Sequence, residues 1–549
     1  MKIQVRINEE GALRNQAHAF SNRFTLVSEL LQNARRAGAT CIEIHHDTAA
    51  QVLSVQDDGC GLDDFQQLLS FHESGWDAAT SAEERPFGVG FSKCLYAATR
   101  CIVASGHRRV DIDTAAALAK ALVDVEHAPE AQAVSGTRIE LHGVNLPDLG
   151  DQIEDLCQGF PVPVFFNGQA LKRHLAEAHL ATQASTIGSV HLAGTQDGQH
   201  SHDTVVFLQG FCVMKPTYCS RDKVNVVHLD SRQFMARLPD RDKLIDEDVQ
   251  RKRIDVELAA CWRRTLEIAK AQLAPERYVE LYYPVMRAWG QLDLLNDLDA
   301  LPAELCETIV GYPIQDQHGS RGHAQAAEIA PTRQDVEQGK VHLVALDPVD
   351  DDNGARWMLA RSKGWLVFDW IGVHREHWSQ RHVHFLEEDP GTVTPVNETV
   401  RTTLEGRWVW PTVILSEAVQ VQVGADKALF TDEGLSNAGT LYIPSGETTG
   451  TPVQQLSSFT DENDHFQEAD QDADREALAD LIFRLRSTDP VTTLESLLVG
   501  LHLGKYPQLH GKSFLLTVGT GGAPNCSITL IDPNGQDLPD EPGGNHAGR

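Results

Sequence analysis

Between residues 24 and 37 the apolar positions Leu26, Val27, Leu30, Leu31 and Ala34 recur three and four apart, the spacing that predicts an amphipathic helix. Its inner face is not purely apolar. Glu29, Asn33 and Arg36, spaced by four and then three, project from nearly the same side. Buried without partners, such groups cost about 1–3 kcal/mol each, so something must satisfy them. The period then changes to two. CIEIHHD (41–47) and VLSVQDD (52–58) read as two strands, and a glycine turn, GCG, follows. FSKCLYAATRCIVAS (91–105) reads as a helix running into a strand, and GTRIELHG (136–143) as a further strand.

A second unit is expected from about residue 150. PVPVFFNGQAL (161–171) carries Asn167-Gly168, a two-residue hairpin signal. DTVVFLQGFCVM (203–214) and VNVVHLD (224–230) continue the β pattern. Asp246 is expected to cap a long amphipathic helix reaching about Leu273, with Pro275 ending it. Residues 276–330 read as helical and 340–460 as β-rich. DENDHFQEADQDADRE (461–476) reads as a solvated linker or the front of an exposed helix. Two helix-like segments and a β pair, SFLLTVG and CSITLID, come next, and the tail from Pro533 is expected to be disordered. The expected domains are therefore 1–150, 151–275, 276–460 and 461–549.

Composition narrows the function classes. With 549 residues, 41% of them hydrophobic, the chain can build several cores at roughly 150 residues per domain. A formal charge of -31, from 47 basic and 78 acidic residues, excludes a general nucleic-acid coat, because most of the surface repels phosphate. No apolar run approaches the roughly 18 residues that span a bilayer. The N-terminal MKIQVRINEEGALR lacks the apolar stretch of a signal peptide. The ten scattered cysteines contain no CxxC pair and fit a reducing compartment, so a cytoplasmic protein is expected.

Three more features carry candidate chemistry. Asp57 ends a strand and is followed by Asp58-Gly59-Cys60-Gly61. A carboxylate there can accept a hydrogen bond from an exocyclic amine, and Gly59 and Gly61 let a ring approach the backbone; the same pattern is also a common turn. PFGVGFSK (86–93) places Gly88 and Gly90 before a helix, with Ser92 in its first turn, so that backbone N–H groups and the helix dipole face an anion. Gly136-Thr137 opens a late strand, where a hydroxyl can reach a bound base or a water beside it.

In order and spacing, ExxxN on a helix, DxGxG, GxGxxS and a late GT resemble the GHKL ATPase superfamily, which includes the ninety-kilodalton heat-shock chaperones, MutL proteins, type II topoisomerase ATPase domains and sensor histidine kinases. ELLQNARRAGAT is similar to the MutL helix motif, and FGVGFSKCLYAA to the chaperone phosphate loop. The resemblance covers 1–150, and more weakly 150–275. It implies an α/β fold: a Bergerat-type two-layer α/β sandwich with a mixed, mostly antiparallel sheet, then an α/β second domain and a mixed C-terminal half. It implies ATP and Mg2+ as ligands. Glu29 would be the general base for the attacking water and Asn33 the Mg2+ ligand. Asp57 would read the adenine amine with Thr137 assisting through water, and Gly59 and Gly61 would shape its pocket. Phe87, Gly88, Val89, Gly90, Phe91 and Ser92 would hold the phosphates, under a short lid at 71–85. The second domain of such ATPases sends a Lys or Arg to the γ-phosphate. Arg237, Arg241 and Lys243 in MARLPDRDKLI (235–245) are the choices, with Arg241 favoured; a plain charged loop before a helix is the other reading.

The family's helix carries Asp where this chain has Arg36. That arginine either contacts phosphate, as a basic residue does in histidine kinases, or turns outward with only its stem buried. Glu29 favours hydrolysis, since histidine kinases have Asn there and need an upstream helix hairpin that residues 1–24 leave no room for. The expected protein is a chaperone-like or clamp-like ATPase that pairs through its N-terminal domains and acts on a protein client, with stress or defence as a family-level role. A nucleotide-gated scaffold with little hydrolysis is the alternative, and a histidine kinase a remoter one. Three other patterns are weaker. HGKS (510–513) lacks the earlier glycine of a P-loop. His374, His377, His382 and His384 are irregularly spaced for zinc. Asp347, Asp350, Asp351 and Asp352 precede Asn353-Gly354 as in a turn.

Overall fold

The computed structural model describes residues 3–4, 8–16, 24–71, 73, 75–76, 80, 90–216, 223–237, 242–314, 322–457, 467–520 and 526–531. They form two compact units, Met1–Pro302 with Val373–His377, and Ala303–Gly372 with Trp378–Arg549.

The first unit opens with helices α1 (Glu9–Gln16) and α2 (Thr25–Arg36) and strands β1 (Ile42–Asp47) and β2 (Val52–Asp57). Helix α3 (Ser92–Ala97), strands β3 (Arg100–Gly106) and β4 (Arg108–Asp113), helix α4 (Thr114–Leu118) and strands β5 (Val125–His127) and β6 (Val134–His142) follow. Helix α5 (Leu149–Cys157) leads to β7 (Val164–Phe166) and β8 (Gln169–Ala170). The eight strands form one sheet in the order β5-β4-β3-β6-β2-β1-β7-β8. Every pairing in it is antiparallel except β1 with β7. The apolar side of α2 (Leu26, Leu30, Leu31) packs with Ile42, Ile44, Leu53 and Val55 in one core shared with α3 and α5. This is the two-layer sandwich with a mixed, mostly antiparallel sheet. The sheet continues past residue 150, because the predicted hairpin at Asn167-Gly168 forms β7 and β8. Both turn residues have positive φ, 49° and 78°, as a tight hairpin demands.

A second sheet follows within the same unit, in the order β12-β11-β13-β10-β9. Its strands are β9 (Gln183–Ser185), β10 (Gly188–His191), β11 (Thr204–Leu208), β12 (Phe211–Met214) and β13 (Asn225–Leu229). Helices α6 (Glu247–Gln272) and α7 (Pro275–Ala288) complete it. Asp246 stands at the start of α6 as expected, but with φ 54° and no side-chain cap; its carbonyl accepts from Val249 and Gln250 instead.

The second unit contains a sheet of β14 (Cys306–Ile309), β15 (Ala324–Ala326), β16 (Leu343–Ala345), β17 (Leu366–Phe368) and β18 (Val383–Phe385), with helices α8 (Arg333–Glu337) and α9 (Gly354–Lys363). The other sheet has β19 (Gly391–Thr403), β20 (Thr412–Val423), β21 (Asp426–Phe430), β22 (Leu435–Asn437) and β23 (Thr440–Ile443). Trp357, Met358, Leu359 and Ala360 of α9 share a core with Val344 and Val367 of the first sheet and Val419 and Val421 of the second. The Asp-rich run ahead of α9 is used structurally. Asp350 accepts from the amides of Asp352 and Asn353, both at 2.9 Å, while Asp351 accepts from the Ser436 hydroxyl and the Gly439 amide. His384 contacts Asp389 at 2.6 Å. Among the described residues no group of three or more His, Cys, Asp or Glu is arranged to hold a metal, and no helix is long and apolar enough to cross a membrane.

The acidic run enters helix α10 (Glu468–Arg486). Its Asp474 is fully buried and accepts from three consecutive backbone amides, Arg407, Trp408 and Val409. Helix α11 (Pro490–Val499) and the ribbon β24 (Ser513–Val518) with β25 (Cys526–Ile531) come last; HGKS lies at the entrance to β24, so a strand follows it. Replacing Asp474 leaves three amides without their acceptor. Asp474→Ala is expected to cost about 3 kcal/mol in this unit and to speed amide hydrogen exchange at Arg407–Val409, read by mass spectrometry.

Candidate functional site

Helix α2 carries two clusters, one at each end. Ala37 lies eight positions beyond Glu29, about 12 Å of helix rise. At the C-terminal end the helix meets the glycine turn after β2. The Cys60 amide donates to the Ala37 carbonyl at 2.9 Å. A methyl on Gly59 would lie 2.8 Å from that same carbonyl oxygen, so only glycine fits. Asp58 points the other way and ties down the start of β1, accepting from the amides of Thr40 at 2.7 Å and Cys41 at 2.9 Å and from the Thr40 hydroxyl at 2.5 Å. These donors hold its carboxyl below the usual range.

Asp57 ends β2 directly opposite Thr137 of β6. Its carboxylate accepts from the amide of Gly59 at 2.9 Å and from that of Thr137. Burial nevertheless pushes its pKa up, against the two amides. The group is half-buried. Two backbone donors fix its orientation and leave acceptor capacity for a further donor. The turn is pinned from beneath by Ser105 of β3. Its hydroxyl donates to the Gly136 carbonyl at 2.7 Å and accepts from the Leu62 amide at 2.8 Å. Gly61 (φ 80°) has Ser105 Oγ where a methyl would sit, and Gly136 (φ 72°) lies hard against the Asp57 backbone.

At the N-terminal end, Glu29 is buried, with 6% of its surface exposed. Gly90 packs against its carboxylate, in space a side chain would need. Ser92 and Lys93 at the start of α3 are also buried, at 5% each. Glu29 and Lys93 both act on the adjoining Cys94 thiol, which burial above all pushes well up. Asn33 and Arg36 lie half-buried between the two clusters, as does Phe91 beside α3. Phe87, Gly88, Val89 and Arg241 lie outside the described residues, with most of the 71–85 lid.

A cavity of about 610 Å³ adjoins Glu29. Thr25, Ser28, Glu29 and Gln32 of α2 line one side. Lys215 after β12, Lys243, and Arg251 of α6 line another. Lys243 thus supplies a cation to the cavity that holds Glu29, from the very loop the sequence singled out. Its carbonyl accepts from the Arg237 amide at 2.7 Å, while the Arg237 side chain pairs with Asp242 at 3.3 Å. Arg251 pairs with Glu247 at 3.0 Å.

Sequence reasoning gives no role to Ser105, Lys93, Lys215 or Gln32. Lys93 is within the glycine-rich motif, and Lys215 directly follows an apolar strand; a basic residue in either place is a usable signal. Ser105 and Gln32 leave none. Gln32 is 1% exposed and donates to Gln209, a contact 177 residues away in the chain.

Residues 21–144 match the family model described as Histidine kinase-, DNA gyrase B-, and HSP90-like ATPase. This part of the chain belongs to the GHKL superfamily, which supports ATP binding by an enzyme of the ATPase and kinase class. No curated protein matches the chain. A methyl at Gly136 would strike the backbone of Asp57 and Asp58, so Gly136→Ala is expected to weaken binding of a non-hydrolysable ATP analogue at least tenfold, measured by calorimetry. Unchanged affinity would show that the β2–β6 contact does not shape the nucleotide pocket.

Proposed function

We propose that the N-terminal domain binds ATP along α2 and hydrolyses it, with the base at the Asp57 end and the terminal phosphate at the Glu29 end. The observation that carries this reading is the packing of Gly90, at the end of the glycine-rich loop, against the buried Glu29 carboxylate. Those two sequence motifs lie 61 residues apart, and phosphoryl chemistry needs them together.

In this reading Asp57 accepts from the adenine amine, held in place by the amides of Gly59 and Thr137. The Thr137 hydroxyl assists through water. Gly59 and Gly61 hold the turn tightly against Ala37 and Ser105, with no room for a side chain, and would shape the pocket for the base. Phe87 to Ser92 supply backbone amides to the phosphates. Glu29 accepts a proton from the attacking water, which its helix orients at the phosphate end. The half-buried carboxamide of Asn33, between the two clusters, suits a hard cation that also takes phosphate oxygens. Bound Mg2+ would neutralise phosphate charge there. Arg36, one turn further along, is positioned for the polyphosphate or for solvent.

Lys243 lines the Glu29 cavity from the second sheet's loop, as Lys215 and Arg251 do from the end of β12 and from α6, and in this reading Lys243 senses the γ-phosphate. Arg241, the sequence-based choice, is two residues away. Such a contact would link the nucleotide to residues 203–251, and nucleotide binding would bring two N-terminal domains together around a protein client. That is the behaviour of a chaperone-like or clamp-like machine.

Glu29→Gln keeps the shape and removes the base. It is expected to bind ATP with Mg2+ within a few-fold of the native protein and to lose at least a hundredfold in steady-state hydrolysis. Native protein that binds ATP without turnover would instead support a nucleotide-gated scaffold. For the sensor, Lys243→Ala and Arg241→Ala are compared: the true contact is expected to lower kcat about a hundredfold while leaving affinity for ADP unchanged, and the other substitution should leave kcat near native.

A further inference from the structure

We propose that Gln32 and Gln209 form a positioning pair, through which the β11–β12 hairpin fixes the setting of α2 so that the Glu29 carboxylate faces the terminal phosphate. The inference rests on the ATPase reading above and concerns the same site.

The tip of the hairpin carries an uncommon residue for its shape. Leu208 pairs with Phe211, so Gln209 and Gly210 make a two-residue turn, with φ of 55° and 90°. Two positive φ values mark a type I′ turn, where Asn-Gly is the preferred pair. Asparagine suits such a place because its short side chain bonds to nearby backbone; glutamine has no such advantage, and a non-glycine residue at positive φ is uncommon. The extra methylene is used elsewhere. The Gln209 side chain leaves the turn and accepts from the carboxamide of Gln32 on α2, across 177 positions of sequence. The turn that carries it is held by its surroundings. A methyl on Gly210 would lie 2.7 Å from Pro161 Cδ and 3.1 Å from Phe160 Cα, and Phe211 sits in the core of the first sheet. Backbone kept in a sparsely populated conformation by its neighbours is a pattern found at functional positions.

Gln32 is the other half of the pair. It is 1% exposed, directly precedes Asn33 and stands three positions after Glu29. With Thr25, Ser28 and Glu29 it lines the 610 Å³ cavity, so it shares a side of α2 with the proposed base. The contacts of α2 with the sheet through Leu26, Leu30 and Leu31 are apolar. Such contacts are non-directional, and a small roll of the helix costs them little. A hydrogen bond weakens steeply as it is misaligned. The bond to Gln209 therefore sets the roll of α2. A roll moves Glu29 and Asn33 together, the proposed base and the proposed metal ligand. Misplacement of such groups by about 1 Å costs on the order of a hundredfold in rate.

Substitutions at the pair separate positioning from structural support. Gln209→Asn forms the better turn but is one methylene too short to reach α2. It is expected to keep or raise the thermal midpoint, to leave the dissociation constant for a non-hydrolysable ATP analogue within twofold, and to lower kcat at least tenfold. Gln32→Met keeps the length and removes the donor. It is expected to lower kcat to the same degree, and the double substitution no further, because each removes the same contact. Gln209→Glu retains the acceptor and is expected to hold kcat within threefold of native. Native kcat in Gln209→Asn or in Gln32→Met overturns the proposal and leaves the ATPase reading standing. So does a loss of kcat matched by an equal loss of analogue affinity, or accompanied by a lower thermal midpoint in Gln209→Asn. A native chain that binds the analogue without turnover, or does not bind it, overturns the hydrolytic reading and this proposal with it.

Discussion

The N-terminal site depends on one close approach. Gly136 lies against the backbone of Asp57 with no room for a methyl group, at a φ of 72° that other residues avoid. This contact sets β6 beside β2 with Thr137 opposite Asp57, so the Thr137 amide can hold the carboxylate. The Gly136 carbonyl is then free to accept from Ser105, whose oxygen in turn receives the Leu62 amide and so fixes the glycine turn. The turn presents Cys60 to the end of α2. A carboxylate whose pKa burial raises is thus kept in one orientation by neighbours that are themselves held by hydrogen bonds, as the proposed recognition of an amine donor would require.

Much of this is legible in the chain itself. Period-two runs mark β1 and β2, and a 3.6-residue period marks α2, because each element has one buried face and the sheet lies between helices and solvent. The polar residues on the inner face of α2 are the informative conflict. Glu29 is indeed buried, and Asn33 and Arg36 half-buried, on a helix that otherwise covers the core. Other features are hidden for physical reasons. Ser105 is a serine in a strand until its partners, at positions 62 and 136, are known. The acidic run 461–476 has the composition of a solvated segment, yet Asp474 is buried, because three amides from a loop some 66 residues away replace water around it. No local pattern announces such a donor set. The segment after 276 reads as helical, but among the described residues it is α-helical only to Ala288, with short 3-10 turns at Leu292–Leu295 and Ala303–Leu305. Short strands such as Cys306–Ile309 lie beyond it, and runs of three or four residues leave periodicity little to act on.

The second sheet bears on the proposed mechanism through the hairpin between β11 and β12. Gln209 and Gly210 occupy its tip with φ of 55° and 90°, a sharp turn that projects the next residue. That residue, Phe211, belongs to the core of the first sheet and packs against Phe160, ring centroids 5.3 Å apart and tilted by 39°. Gly210 itself fits against Pro161 and Phe160 with no space for a side chain. Gln209 accepts from Gln32, one helical turn from Glu29. The hairpin therefore meets α2 through a part-buried hydrogen bond and the shared core through an aromatic anchor on Phe160.

A grip of this kind resists sliding, because moving Phe211 out of the core opens a cavity. Lys215 and Lys243 approach the same end of α2 from residues 203–251. A terminal phosphate drawn between Glu29 and these cations would pull on an assembly already fastened to the helix at Gln32. In the proposed reading the terminal phosphate lies beside the hairpin that ties the two sheets of the unit together, so its loss would act on both.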